Sequence, residues 1–152
     1  MSEKIIYNTE QIKKILPHRH PFLLVENVHE LEKSNFILAS RNLTLDEQVF
    51  QGHFPGNPIY PGVYTIEGMA QCGAILMYLT FYSNEEKPPL GYFSSIENVR
   101  FKKSATVGDK IYYDVKLVKH KSSFYWFEGN VFKGEKELIA SAEFSLAVVS
   151  KK

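Results

Sequence analysis

A long apolar segment in the first half of the chain predicts a buried helix. From residue 61 to about residue 81, apolar side chains surround the predicted helix axis instead of forming one stripe. A helix of this kind is either buried or membrane-spanning. Glu67 and Gln71 interrupt the apolar surface and no basic flank follows it, which disfavours a membrane span. The pattern therefore predicts a central buried helix, with Pro61 in its first turn.

The second half of the chain alternates between apolar and polar residues, as half-buried strands do. The alternation runs through residues 111–117, 124–126 and 138–148, and each run predicts a strand. Residues 91–101, 22–28 and 36–43 predict further strands, and residues 119–123 and 133–135 predict turns. The sequence therefore predicts an α+β fold, in which a curved antiparallel meander wraps a single long helix.

Two shorter segments add local structure to this outline. Asn8 has Gln11 three residues later, as in a capping box, and Pro17 stops the short helix that follows. Residues 49–62 contain three prolines and three glycines, which predicts an ordered but irregular loop. Such a loop is either a rigid connector or a carrier of functional residues.

Length and charge narrow the classes of protein that fit. The chain has 152 residues, which suits a single domain over residues 1–152. A net charge of +1 argues against a nucleic-acid-binding protein. The single cysteine, Cys72, is expected to be a small core residue, and no signal peptide is evident, so a cytoplasmic location is expected. The 11 Phe and 9 Tyr residues hint at an apolar ligand.

The junction between this loop and the predicted helix holds three groups suited to catalysis. Burial should raise the pKa of the Glu67 carboxyl, which suits a proton donor, although Glu67 could instead reach the surface or pair with an arginine. His53 is a candidate general base or a structural loop residue. Backbone N–H groups where the helix opens, at Gly62, can stabilise a developing oxyanion.

Three longer motifs resemble the FabZ-type 3-hydroxyacyl-acyl-carrier-protein dehydratases. They are LPHRHPFLLV at residues 16–25, GHFPGNPIYPGV at 52–63 followed by IEGMAQ at 66–71, and IENVRFKK at 96–103 followed by VGD at 107–109. The resemblance covers nearly the whole chain in order and without a large insertion. A glutamate at residue 67, instead of the shorter aspartate, favours the FabZ type over the FabA type.

The resemblance implies a hot-dog fold and a homodimer, with each active site formed by His53 of one chain and Glu67 of the other. It also implies assembly as a trimer of dimers in some members. His53 falls on the family's catalytic histidine, Glu67 on its catalytic acid, and Gly62 on the glycine whose N–H faces the thioester carbonyl. The implied reaction converts a 3-hydroxyacyl-acyl-carrier-protein into the trans-2-enoyl form, in fatty-acid or related acyl-chain biosynthesis.

Further candidate residues concern the acyl pocket and the docking of the carrier protein. Tyr92 matches a tyrosine that gates the acyl tunnel in some relatives, and Phe93 is large enough to shorten the tunnel. Tyr60 stands where many relatives have an apolar residue, which leaves chain-length preference open, and His20 replaces a usual tyrosine. A basic run is either a solvated face or a dock for the acidic carrier protein; it consists of Arg100, Lys102 and Lys103.

Two other functions remain open from the residues alone. A hot-dog thioesterase would activate water against the thioester, and a non-catalytic acyl-binding module would keep only the pocket. The dehydration needs no cofactor. His18 and His20 lack a clustered third ligand, so no metal site is expected.

Overall fold

A six-stranded antiparallel sheet packs against one long helix. The computed structural model describes residues 4–134 and 136–149. The elements are, in chain order, α1 Thr9–Lys13, β1 Asn27–Glu32, β2 Phe36–Asn42, α2 Val49–Gly52, α3 Gly62–Phe81, β3 Leu90–Phe101, β4 Lys110–Lys121, β5 Phe124–Lys133 and β6 Glu137–Val149. The strand order in the sheet is β1-β2-β4-β5-β6-β3, and α3 contacts five of the six strands. The predicted α+β architecture is confirmed.

Helix α3 matches its prediction to within one residue and is buried along most of its length. Pro61 is its N-cap and Tyr82 its C-cap. Gly68 lets the helix press against β4, because a Cβ there would lie 2.4 Å from the Tyr113 ring. Tyr113 is itself fully buried, and its hydroxyl donates a hydrogen bond of 2.9 Å to the carbonyl oxygen of Leu24. None of the helices described is long and apolar enough to cross a membrane.

The predicted capping box at the start of α1 is confirmed. The Asn8 side chain accepts a hydrogen bond of 3.0 Å from the Gln11 N–H, and the Gln11 side chain accepts one of 2.8 Å from the Asn8 N–H. These two bonds satisfy backbone donors that a helix N-terminus otherwise leaves unpaired. Helix α1 is thereby held at the start of the segment that leads to the candidate site.

The strand predicted over residues 22–28 is wrong for its first five residues. Strand β1 begins only at Asn27, because side chains from elsewhere bind the backbone before it. The Gln71 amide pairs with the Leu24 N–H and the Phe22 carbonyl, and Arg41 donates to the Leu23 carbonyl. This segment is therefore an irregular stretch of chain that is held to α3 and β2 by side-chain hydrogen bonds, and it does not pair as a strand.

Three smaller predictions also need correction. The loop predicted over residues 49–62 begins with the short helix α2, and the turn predicted at 119–123 shrinks because β4 continues to Lys121. The turn predicted at 133–135 includes residue 135, which lies outside the described residues. The meander holds for β4, β5 and β6, whereas β3 joins from the far side and pairs with β6.

The two edges of the sheet differ in a way that bears on assembly. The N-terminal segment covers β1, since Tyr7 and Val28 form a bridge with backbone hydrogen bonds in both directions. Within the described part of the chain, strand β3 pairs only with β6, and nearly all of its 12 residues are exposed. Its exposed large apolar side chains are Tyr92, Phe93, Ile96, Val99 and Phe101. A long apolar edge of this kind is normally covered in natural proteins.

Candidate active site

His53 lies in a loop whose backbone is closed on itself. The Ile59 N–H donates to the His53 carbonyl at 2.9 Å, while Phe54 and Asn57 exchange two backbone hydrogen bonds of 2.8 Å. The Tyr60 N–H then donates to the Ala105 carbonyl at 2.8 Å. The prolines and glycines of the motif fit this tight path, so the irregular loop expected from the sequence holds its histidine in a defined position.

The imidazole of His53 is oriented as a general base requires. Its Nδ1 lies 2.6 Å from the carbonyl oxygen of Ile59. Because a carbonyl oxygen can only accept, Nδ1 carries the hydrogen and Nε2 of the neutral ring carries the lone pair. The ring also stacks on Phe54 with 4.0 Å between centroids. His53 therefore presents a basic Nε2 on a fixed ring.

Glu67 lies in the second turn of α3 and is mostly buried, with its side chain 20% exposed. Burial raises the pKa of its carboxyl, and a hydrogen bond of 3.2 Å from the Gln71 amide opposes that rise. His18 Nε2 lies 3.7 Å from Oε1 of the same carboxyl. A carboxyl with a raised pKa can hold its proton closer to neutral pH, as a general acid must.

An apolar cavity adjoins Glu67. Its volume is about 270 Å³. Its other lining residues come from the segment after α1, the second half of α3 and the start of β3: Ile15, Leu16, Pro17, His18, Ala74, Met77, Tyr78, Pro88, Pro89, Leu90, Gly91, Tyr92 and Phe93. Mostly apolar walls beside a few polar groups are typical of a small-molecule site.

Gly62 is the first residue of α3, and no side chain among the described residues caps this end of the helix. A Cβ at Gly62 would lie 2.7 Å from the Phe101 ring, so the close approach of that ring requires glycine. The first N–H groups of a helix have no partner within it. Gly62 therefore combines a backbone N–H at the open end of the helix with tight packing against Phe101.

The structure separates the three residues suggested for the tunnel. Tyr92 and Phe93 line the cavity beside Glu67 and are 55% and 37% exposed. Tyr60 is buried elsewhere, edge-on to Tyr64 with 5.6 Å between ring centroids and with the Arg41 guanidinium 5.9 Å from its ring centre. Tyr60 is not among the residues that line this cavity in the described chain.

The basic run lies on exposed backbone at and after the end of β3. Arg100, Lys102 and Lys103 are all exposed. Lys103 forms an ion pair of 3.0 Å with Glu137, so part of its charge is balanced locally. Within the described residues no ion pair is found for Arg100 or Lys102, and these two cations face solvent.

Neither Cys72 nor the two histidines of the LPHRHPFLLV motif form a nucleophilic or metal-binding site in the described chain. Cys72 is fully buried, and burial raises the pKa of its thiol well above the ordinary value, which leaves it a poor nucleophile. His18 lies beside Glu67, whereas His20 is exposed. Across residues 4–134 and 136–149, no group of three or more His, Cys, Asp or Glu side chains is placed to hold a metal ion.

No hydrogen bond or ion pair joins His53 to Glu67 within the described part of one chain. The ring of His53 is occupied by Ile59 and Phe54, the carboxyl of Glu67 by Gln71 and His18, and no ion pair joins the two in the described part of the chain. His53 is also absent from the residues that line the cavity beside Glu67 in the described chain.

Sequence reasoning missed the neighbours of the Glu67 carboxyl. His18 was considered only as a weak metal ligand, and Gln71 only as an interruption of an apolar helix. The spacing of Gln71 four residues after Glu67 places both on one face of α3, so the sequence did carry that signal. No local pattern could predict that His18 lies beside Glu67, because the two residues are 49 positions apart in the sequence.

Comparison with known proteins identifies the family of this chain. The FabA-like domain model matches residues 16–143. The chain is 43% identical over 150 residues to 3-hydroxyacyl-acyl-carrier-protein dehydratase FabZ of Wolinella succinogenes, covering 97% of this chain and 99% of that protein. It is 44% identical over 144 residues to the protein of the same name from Nitratiruptor sp., covering 93% and 97%.

Solved structures show the same fold at lower identity. The dehydratase heterocomplex ApeI:P from Xenorhabdus doucetiae matches with a TM-score of 0.79 at 21% identity, covering 92% of this chain and 91% of that chain. A hypothetical thioesterase from Streptococcus pneumoniae, solved with coenzyme A, matches with a TM-score of 0.60 at 10% identity, covering 82% and 86%. The family model and the relatives together show that this chain belongs to the FabA-like family, with FabZ 3-hydroxyacyl-acyl-carrier-protein dehydratases as its relatives and a hot-dog fold.

Proposed function

We propose that this chain dehydrates 3-hydroxyacyl thioesters carried on an acyl carrier protein, giving the trans-2-enoyl thioester and water. The observation that carries the proposal is the pair of complementary groups in this family's motif. The Ile59 carbonyl accepts the hydrogen bond from Nδ1 of His53, which leaves Nε2 without a hydrogen and free to act as a base. Glu67 is a partly buried acid beside an apolar cavity. The named activity of its FabZ relatives is the same elimination.

The elimination follows from these positions. The thioester carbonyl accepts a hydrogen bond from the Gly62 N–H, which stabilises negative charge that develops on the oxygen when C2 loses its proton. Nε2 of His53 takes that proton. The C3–O bond then breaks, and the hydroxyl leaves as water with the proton of Glu67, delivered directly or through a water molecule. The electron pair of the C2–H bond becomes the new double bond, so no electron acceptor is needed.

The apolar cavity is suited to the acyl chain. Its walls are mostly aliphatic and aromatic side chains, which exclude water from an acyl chain, and the carboxyl of Glu67 belongs to the same lining. Tyr92 and Phe93 come from the exposed start of β3 and line this cavity, which supports a role in narrowing or opening it. We assign them to tunnel lining or gating. Tyr60 instead packs near Arg41, and we assign it no role in the tunnel.

Completing the site requires a second copy of the chain. Strand β3 offers an open antiparallel edge with apolar side chains, and an edge that pairs with its own copy obeys twofold symmetry. The cavity beside Glu67 is lined by the start of the same strand, so a copy docked there would bring its own residues towards Glu67. We therefore infer a homodimer whose sites combine His53 of one chain with Glu67 of the other. Assembly of three such dimers remains a prediction.

The carrier protein is expected to dock on the basic run. Arg100 and Lys102 face solvent at the end of β3, near the edge at which the shared site would form. An acidic carrier would be attracted there by charge, which speeds encounter more than it tightens binding. Lys103 contributes less because Glu137 already pairs with it.

The direct test is turnover of 3-hydroxyacyl-carrier-protein substrates of several chain lengths, with products identified by mass spectrometry. Loss of one water, reversible from the enoyl side, supports the proposal and gives the preferred chain length. The same acyl groups on coenzyme A show how much the carrier contributes. Release of free acid would indicate a thioesterase, and no turnover of any chain length would leave a binding module.

Mixing two inactive variants is expected to restore activity if the site is shared. In a dimer of one His53→Ala chain and one Glu67→Gln chain, one site lacks both groups and the other has both intact. Differently tagged chains should be co-expressed and the mixed dimer purified through both tags. We expect about half of the parental turnover per dimer, against a very low rate for each variant alone.

The control is a mixed dimer of His53→Ala with a chain that carries both substitutions, which has no intact site in any arrangement. It should stay as inactive as its parts. If His53 and Glu67 instead act within the same chain, the first mixed dimer also has no intact site, and its failure to recover would reject the shared arrangement.

A further inference from the structure

The segment that precedes β1 is clamped onto α3 beside Glu67. Arg19 donates hydrogen bonds to the carbonyl oxygens of Leu16 and His18 at 2.9 and 2.7 Å and to that of Lys13 at 3.1 Å. The Gln71 side chain holds the other end of the segment through Phe22 and Leu24. His18 is therefore carried on a fixed backbone, and its ring has a defined place against the carboxyl.

The orientation of the Gln71 amide is set by backbone groups. Its oxygen accepts from the Leu24 N–H at 2.8 Å, and its nitrogen donates to the Phe22 carbonyl at 2.8 Å. A backbone N–H can only donate and a carbonyl can only accept, so the amide cannot be reversed. The 3.2 Å contact from Gln71 to Oε1 of Glu67 is therefore a donated hydrogen bond.

The His18 ring is a second polar group beside the same oxygen, at a distance longer than a hydrogen bond, so its influence on Oε1 is electrostatic. Burial, and then the charge of Arg19, lower the pKa of this imidazole, so near neutral pH it has one N–H. Its Nδ1 is buried, with no hydrogen-bond partner among the described residues, and a buried lone pair costs less than a buried N–H left unpaired. The hydrogen is thus on Nε2, the atom that lies 3.7 Å from Oε1 of Glu67.

We propose that His18 is a positioning residue for Glu67, which acts with Gln71 to make Oε1 a purely accepting oxygen and to leave the acidic proton on Oε2. This inference rests on the proposed dehydration, in which Glu67 is the acid. A carboxyl with two equivalent oxygens would divide its proton between them. The hydrogen bond from Gln71 and the nearby N–H of His18 both favour an unprotonated Oε1, which pre-organises the proton on Oε2 for transfer.

Two substitutions separate the roles of the two ring nitrogens. The amide nitrogen of glutamine can occupy the place of Nε2, whereas the shorter asparagine reaches only the place of Nδ1. With 3-hydroxyacyl-carrier-protein substrate, we expect His18→Asn to lower kcat about tenfold with KM within about twofold, and His18→Gln to stay within about threefold of the parent. His20→Gln is the matched control, because His20 is exposed in the same segment, and it should behave as the parent.

A second measurement does not depend on turnover. The carboxyl carbon of Glu67 can be titrated by NMR, with its signal identified by loss in Glu67→Gln. The groups facing this carboxyl are His18 with Arg19 behind it, Gln71, and the cavity tyrosines Tyr78 and Tyr92. Removing a donor destabilises the carboxylate, so the pKa of Glu67 should rise in His18→Asn and stay unchanged in His18→Gln.

The possible results are distinct. Parental kcat and an unchanged Glu67 titration in His18→Asn would overturn the role of His18 while leaving the dehydratase proposal intact. A His18→Gln enzyme as slow as His18→Asn would overturn it too, since the ring itself, and not a donor at Nε2, would then be required. Absence of dehydration by the parent would instead reject the proposed function, and the role of His18 in it.

Discussion

Replacing His53 by alanine is expected to slow dehydration by about 100- to 10,000-fold, the usual contribution of a positioned general base. The Nε2 lone pair that would take the C2 proton disappears, and water cannot reproduce its fixed place. The side chain is only half-buried and its one hydrogen bond goes to the Ile59 carbonyl, so the fold should survive. Steady-state rates together with thermal melting of both proteins test the two halves of this expectation.

His53→Asn is the control that separates chemistry from loop structure. The asparagine amide can still donate to the Ile59 carbonyl in place of Nδ1, but it offers no base where Nε2 was. It should therefore be about as slow as His53→Ala. Recovery of most of the activity in His53→Asn alone would mean that His53 holds the loop together and that another group removes the C2 proton.

The long helix and most strands could be predicted because their signals are local. Helix α3 is mostly apolar along its 20 residues, and the alternation in β4 and β6 persists over many positions, so both signals can be read without knowing distant partners. The segment before β1 misled the prediction because its apolar residues suit a strand. Its backbone is instead satisfied by Gln71 and Arg41, and periodicity carries no information about side chains that arrive from other elements.

The candidate site was predictable residue by residue but not as an assembly. His53, Glu67 and Gly62 lie within one motif, so both their chemistry and the family resemblance could be read along the chain. The different partners of His53 and Glu67, and the open edge of β3, are properties of the folded chain. The approach of His18 to Glu67 likewise depends on the clamps made by Arg19 and Gln71.

Replacing Glu67 by glutamine should also slow dehydration by about 100- to 10,000-fold, because the amide keeps the size of the side chain but has no acidic proton to give. In the parent, the contribution of Glu67 is present while its carboxyl is protonated and is lost as the pH rises through its pKa. Burial raises that pKa, which extends the active range towards neutral pH. The variant should therefore lose the alkaline decline that belongs to Glu67 when kcat is measured against pH.

The thermal stability of Glu67→Gln shows whether its lower rate comes from the missing acid or from damage to the fold. A pKa that is higher in the folded than in the unfolded chain means that the folded state holds the Glu67 proton more tightly. Its favourable contribution is complete below the unfolded pKa and is lost as the pH rises through the folded pKa. Above that point an ionised, partly buried carboxylate remains, so Glu67→Gln should melt at the same or a higher temperature in mildly alkaline buffer. A rate within about threefold of the parent, roughly 0.7 kcal/mol, would exclude proton donation by Glu67.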